Sequence, residues 1–176
     1  RNGLLRLGDL AEGGVPALQP HTPNYFNFAC LPFAYDRQAD CPRWRAFLDE
    51  ATDGRDELIE LLSQWVGYLF EPSLRQQKFL LCVGEGANGK GVFFEVVQDL
   101  LGRRNCSQVP LSRFGNPFAL SATLGKLLNA SSESTHALDE QAESILKAFV
   151  AGDRLTFERK YRDPMHAVPT AKLMIA

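Results

Sequence analysis

The stretch FLLCVGEGANGKGVFFEVVQDLL, Phe79 to Leu101, decides how this chain folds and what it can bind. Lys78 to Val83 reads as a buried strand. Val92 to Leu101 reads as an amphipathic helix with Phe93, Val96, Val97, Leu100 and Leu101 on one face, and Gly102 ends it. Between the two, Gly84, Gly89 and Lys90 meet the spacing G-x-x-x-x-G-K of a phosphate-binding loop, but Gly91 stands where that pattern carries Ser or Thr. A strand, a glycine turn and a helix in this order aim backbone N–H groups and the positive end of the helix dipole at a phosphate chain, and the lysine neutralises it. The expected nucleotide cradle is therefore the run Gly84, Glu85, Gly86, Ala87, Asn88, Gly89, Lys90 and Gly91, with Lys90 acting on the phosphates and Asn88 bracing the turn. Gly91 offers no hydroxyl to ligate Mg²⁺. A carboxylate from elsewhere must then do so.

The stretch GKLLNASSES, Gly125 to Ser134, supplies one. It reads as an apolar strand from Lys126 to Ala130 that ends in Ser131, Ser132 and Glu133. An acid at the end of a strand neighbouring a phosphate loop is placed to hold Mg²⁺ or to orient the attacking water. Glu133 is the expected metal ligand and second catalytic residue.

Farther along, Asp139 to Val150 reads as a helix with Ala142, Ile145, Leu146, Phe149 and Val150 inward, closed by Gly152. Arg154 to Glu158 and Lys172 to Ile175 read as strands, with the polar run RKYRDP between them and a turn at Pro164. Upstream, Pro42 opens a short helix. A longer one runs from Asp56 to Phe70, with Leu58, Leu61, Leu62, Trp65, Val66 and Leu69 as its core stripe. The first 40 residues are rich in Gly, Pro and aromatics, with short strand-like pieces at Gly3 to Leu7 and Tyr25 to Phe28. Alternation of strand and helix in the second half argues for an α/β core behind a helical flank.

Bulk properties narrow the field. The 176 residues are 45% hydrophobic, enough for a sizeable core, and 19 Lys and Arg against 21 Asp and Glu give a net charge of −2. No overall field draws the chain to nucleic acid or membrane, so any such contact is local. The four cysteines, Cys30, Cys41, Cys82 and Cys106, have no zinc-site spacing and read as reduced, mostly buried thiols of an intracellular protein. No apolar run reaches the ~18 residues of a membrane span, and His21, His136 and His166 are too scattered to form a site. Trp44 and Trp65 read as packing anchors. The first residue is Arg1 and the apolar run Lys172 to Ala176 ends without a cap, so both ends read as cut from a longer protein.

These motifs together resemble the phage and plasmid type of primase-helicase, in superfamily 3 of the helicases. Its G-x-G-x-N-G-K loop is matched by Gly84, Gly86, Asn88, Gly89 and Lys90. Its GK strand ending in Ser-Glu is matched by Gly125, Lys126, Ser132 and Glu133, and its K-x-x-x-x-G-D helix end by Lys147, Gly152 and Asp153. A basic hairpin follows at Glu158 to Pro164, and Leu31 to Glu50 is similar to the segment that precedes the ATPase core. The resemblance implies an accessory flank over residues 1–74, mixed and partly helical, then a P-loop AAA+-like ATPase core over residues 75–176, incomplete at its C-terminus. It further implies ATP and Mg²⁺ as cofactors and a homo-oligomeric ring, commonly of six. Such a ring translocates on single-stranded or forked DNA as a helicase in the cytoplasm of a bacterial host cell.

The same resemblance puts Arg159, Lys160, Tyr161 and Arg162 in the central channel. Three cations beside one aromatic suit sequence-independent single-strand binding, although Glu158 and Asp163 offset part of the charge. TAKLMIA, Thr170 to Ala176, looks like the strand that ends in a γ-phosphate-sensing Asn, stopping short of it. The expectation is a segment that binds nucleotide better than it hydrolyses it. Two other readings stay open: a P-loop kinase, for which Arg103, Arg104 and Arg113 would have to form the lid, and a non-catalytic nucleotide-binding or assembly module.

Overall fold

A computed structural model describes residues 2–8, 16–27, 29–86, 88–131 and 138–176. It is a mixed α/β structure around a parallel sheet. Four strands, β3 (Leu80–Leu81), β4 (Cys106–Ser107), β5 (Leu128–Ser131) and β8 (Lys172–Ile175), lie in the order β3, β8, β5, β4, every pair parallel. Parallel neighbours cannot be joined by a tight turn, so helices cross over between them and cover both faces of the sheet. That coverage explains why every residue of β5 and β8 is buried.

The helices are α1 (Pro42–Ala51), α2 (Asp56–Leu69), α3 (Lys90–Leu101), the single turn α4 (Pro117–Leu120) and α5 (Glu140–Ala151). Alternate strand residues divide the interior in two. Leu80, Leu128, Ala130 and Met174 join α1, α2 and α3 in one apolar cluster through Leu48, Trp65, Leu69, Phe93 and Val97. Ala171 and Leu173 point the other way, into a cluster with Phe149 of α5, Phe114 and Phe157. Each such fully buried Leu or Phe contributes about 1.5–3 kcal/mol. The Trp44 ring stacks on Phe47 and Phe93, at 5.5 and 5.6 Å between centroids, so both tryptophans do pack as anchors.

Several expected elements are shifted. The strand expected over Lys78 to Val83 pairs only at Leu80–Leu81, although Cys82 N still donates to Ile175 O at 2.8 Å. The strand expected from Lys126 starts at Leu128, because Lys126 N closes a turn onto Thr123 O and Leu127 N bonds Asn105 O instead. Arg154 to Glu158 contracts to β6 (Leu155–Phe157), which pairs antiparallel with β7 (Met165–Ala167). β7 was not expected, since three residues between two prolines carry no period. The N-terminal piece Gly3 to Leu7 contains β1 (Leu4–Leu5), paired with an unexpected β2 (Leu18–Gln19). Tyr25 to Asn27 form no strand, and Phe28 lies outside the described residues.

Two stripes need correction. Leu61 is 51% exposed, because Leu58, Leu62, Trp65 and Leu69 lie along one line of α2 and Leu61 sits at its margin. In α3 Val96 is also exposed, and Phe94 and Gln98 are buried in its place. The cysteine expectation fails in part as well. Cys30 and Cys41 are exposed, Cys82 is half-buried and only Cys106 is buried, where desolvation pushes its thiol up to about 11.

α5 matches its sequence signals. The Asp139 carboxylate accepts from Ala142 N at 2.7 Å as the N-cap, and Gly152 closes the helix at φ +78°. Asn129 was not singled out in the sequence, yet it ties the sheet. Wholly buried on β5, it accepts from Ser107 Oγ and Val109 N, both at 2.8 Å, and donates to Val109 O at 3.0 Å. Its side chain thus continues the pairing between β4 and β5 where the strands separate.

Candidate functional site

β3 and α3 hold the glycine loop beyond the carboxyl ends of the parallel strands. Register pairs Leu81 with Ile175 and Ile175 with Ser131, so three strand ends stand abreast at this edge of the sheet. In open α/β sheets this edge is where ligands bind. The loop closes onto α3 through Gly89, which takes φ +83° and lies so near α1 that a Cβ would meet the Phe47 ring at 3.2 Å. Either constraint alone favours glycine; together they require it.

Lys90 is the first residue of α3 and turns back over the loop. Its ammonium donates to Gly84 O at 2.6 Å, Glu85 O at 3.2 Å and Asn88 Oδ1 at 3.1 Å, one acceptor for each of its three protons. The Asn88 amide lies across Gly84, where an added Cβ would come 2.2 Å from Asn88 Nδ2. Asn88 therefore braces the loop and positions the lysine at once. Gly91 faces open space, with nothing within 4 Å of where a Cβ would be. The structure thus brings Gly84, Glu85, Gly86, Asn88, Gly89, Lys90 and Gly91 together in one turn at the N-terminus of α3.

Three residues singled out from the sequence, Ala87, Ser132 and Glu133, lie outside the described residues, as does His136. Ser131, the last residue of β5, is buried at the same edge as the loop. Among the described residues no group of three His, Cys, Asp or Glu side chains could hold a metal ion.

Arg159, Lys160, Tyr161 and Arg162 sit together at the tip of the β6–β7 hairpin, apart from the loop. They line a groove of about 310 Å³ with Phe118 of α4 and Glu158. Arg162 N closes the tip onto Arg159 O at 3.2 Å, and Thr156 Oγ1 meets His166 Nδ1 at 3.0 Å across the strands below. Tyr161 is fully exposed and takes φ +61°, a left-handed conformation unfavourable for a bulky side chain.

Lys172 escaped the sequence reading. It is wholly buried in β8, its Nζ has no hydrogen-bond partner among the described residues, and it sits 4.6 Å over the Tyr68 ring. Burial lowers its pKa to about 8, with Glu71 opposing the shift. A lysine inside the apolar run AKLMIA was the available signal. Among the described residues no helix is long and apolar enough to cross a membrane.

The C-terminal region of NrS-1 has the same fold. Two apo structures of it align over 93% and 92% of this chain with TM-scores of 0.62 and 0.64, at 14% sequence identity. This chain spans 38% of each of those chains. An uncharacterized mitochondrial protein of Marchantia polymorpha, ymf21, is 31% identical over 81 residues, which is 46% of this chain and 45% of that protein. The profile of a family of unknown function (DUF5906) matches residues 82–176. That match holds the whole glycine loop, β5, α5, the basic hairpin and β8 over more than half of the sequence, and the chain belongs to this family.

Proposed function

We propose that this chain is the nucleotide-binding part of a phage, prophage or plasmid replication helicase, in which ATP bound at the glycine loop drives movement along single-stranded DNA. The observation that carries this reading is Lys90. Its ammonium lies inside a glycine loop, at the N-terminus of a 12-residue helix, beyond the carboxyl ends of a parallel sheet. ATP bound there would take the loop N–H groups from Gly84 to Gly91 as hydrogen-bond donors. Lys90 would exchange its loop acceptors for the β and γ phosphate oxygens, and the dipole of α3 would add to the attraction. Mg²⁺, when bound, would neutralise phosphate charge, with Glu133 as its proposed ligand. The hairpin cations Arg159, Lys160 and Arg162 would hold DNA phosphates, and a ring of copies would surround the strand with them. Replication fits the family resemblance of the motifs, and the compartment in this reading is a bacterial host cytoplasm.

Arg103 weakens the kinase alternative, because its guanidinium is already bonded to Glu95 and to Asp99, the latter at 2.7 Å. Gly91 favours a module that binds nucleotide without hydrolysing it. One titration separates these outcomes: a fluorescent ATP analogue, with and without Mg²⁺, against wild type, Lys90→Ala and Gly91→Ser. The helicase reading expects binding that falls at least tenfold in Lys90→Ala, the loss of one charge-assisted contact of about 1.5–3 kcal/mol. A folded wild type that does not bind would overturn it. Wild-type affinity indifferent to Mg²⁺ that becomes Mg²⁺-dependent only in Gly91→Ser would favour the non-hydrolysing module.

A further inference from the structure

We infer that the groove between α4 and the hairpin is a base-stacking subsite for single-stranded DNA, with Phe118 and Tyr161 as its two aromatic faces. The inference rests on the single-strand reading of the hairpin and adds a residue to it. Phe118 is half exposed, although a ring of its size normally finds cover in the interior. It is also held firmly in that exposed place. Asn116 Oδ1 accepts from Phe118 N at 2.9 Å and from Ala119 N at 3.2 Å, and Ser121 Oγ donates to Phe118 O at 2.7 Å. Glu158 N donates to Pro117 O at 3.3 Å, so this turn is tied to the base of the hairpin.

Opposite stands Tyr161, wholly exposed and in the left-handed region. A strained, unpacked aromatic brings the fold nothing, and strain of this kind concentrates at binding sites. The floor and rim of the groove carry Arg159, Lys160 and Arg162 against the single acid Glu158. Its volume of about 310 Å³ falls at the lower end of the 300–1,000 Å³ of ligand clefts. Two aromatic faces among an excess of cations fit a polyanion with flat, unpaired bases, which is single-stranded nucleic acid. A duplex hides those faces and would gain only the phosphate contacts. A DNA strand would stack a base at the groove and lay its flanking phosphates on the three cations.

The test is fluorescence anisotropy at low salt, using a labelled oligo-dT and an abasic oligomer of equal length. The proteins compared are wild type, Phe118→Ala, Phe118→Trp and the triple variant Arg159→Ala/Lys160→Ala/Arg162→Ala, each checked by circular dichroism. Stacking of one base is worth about a five- to hundredfold change in affinity. Phe118→Ala is expected to weaken oligo-dT binding by that factor and leave abasic binding unchanged, with Phe118→Trp retaining affinity. The triple variant is expected to weaken both ligands. If Phe118→Ala leaves oligo-dT binding unchanged, or weakens both ligands alike, the stacking subsite is wrong while the hairpin reading stands. If wild type binds neither oligomer, the single-strand reading fails and the subsite with it.

Discussion

Replacing Lys172 by Met removes a buried ammonium that has no hydrogen-bond partner among the described residues. In the folded chain this lysine titrates at about 8, against an ordinary 10.5. Between those two values the unfolded chain holds the proton more tightly than the folded one. Stability therefore rises with pH through this window and is flat on either side. Each pH unit is worth about 1.4 kcal/mol, so the full rise is about 3 kcal/mol and about 2 kcal/mol of it is reached by pH 10. Below pH 8 the charged form is held inside at that cost. Met fits the same straight-chained volume and carries no charge. It gives up the contact with the Tyr68 ring, a loss of about 1 kcal/mol. Lys172→Met should thus stabilise the chain at pH 7 by about 1–2 kcal/mol, raising Tm by about 3–8 °C at this size. The assay is urea unfolding of both proteins from pH 7 to pH 10. Cys82, Cys106 and Tyr68 are all shifted upward by burial and lower stability at alkaline pH in both proteins, so the difference between the two curves isolates Lys172. That difference should shrink by about 2 kcal/mol across the range. A difference that stays constant, or a variant less stable than wild type at pH 7, would show that the ammonium has a partner and refute the reasoning.

Two further changes probe the loop and the sheet. In Gly84→Ala the new Cβ meets Asn88 Nδ2 at 2.2 Å and drives the amide off Lys90. Nucleotide affinity should fall about tenfold for the lost positioning contact with little change in Tm, read by the ATP-analogue titration and a thermal melt; undiminished affinity would show that Asn88 does not position the lysine. Asn129→Ala leaves the Val109 N–H and C=O without their buried partner, while Ser107 Oγ keeps Leu128 O at 3.4 Å. At about 1–3 kcal/mol for each of these two orphaned groups the loss should be about 2–6 kcal/mol, and urea unfolding that shows less than 1 kcal/mol would mean that water replaces the amide.

Helices and the loop were legible in the sequence because their signals are local. Asp56 to Leu69 shows in a stripe at three-and-four spacing, α5 in its Asp139 and Gly152 caps, and the loop in glycines between an apolar run and a helix. Strand lengths were less legible. β3 pairs for two residues because its bonds depend on β8, which arrives more than 90 residues later. β4 and β7 are too short to show a period. The order β3, β8, β5, β4 leaves no trace in composition, yet it brings the loop and the end of β5 to one edge of the sheet. Lys172 was read only as part of a strand, because the apolar pattern fixes a strand's place but not the cover above a single residue.

The support of the candidate site also reaches beyond its motif. Residue 89 must be glycine in part because Phe47 of α1 fills the space a side chain would take, and Trp44 stacks on both Phe47 and Phe93 in the first turn of α3. The aromatic segment before the loop thus sets the angle at which α3 presents Lys90. Moving α1 would therefore move the ammonium. A nucleotide that draws Lys90 away from Gly84, Glu85 and Asn88 has to rebuild the loop against this rigid aromatic wall. The change should therefore be confined to the glycines and Asn88, with α3 held in place. Four glycines, Gly84, Gly86, Gly89 and Gly91, give the loop the backbone freedom for such a change.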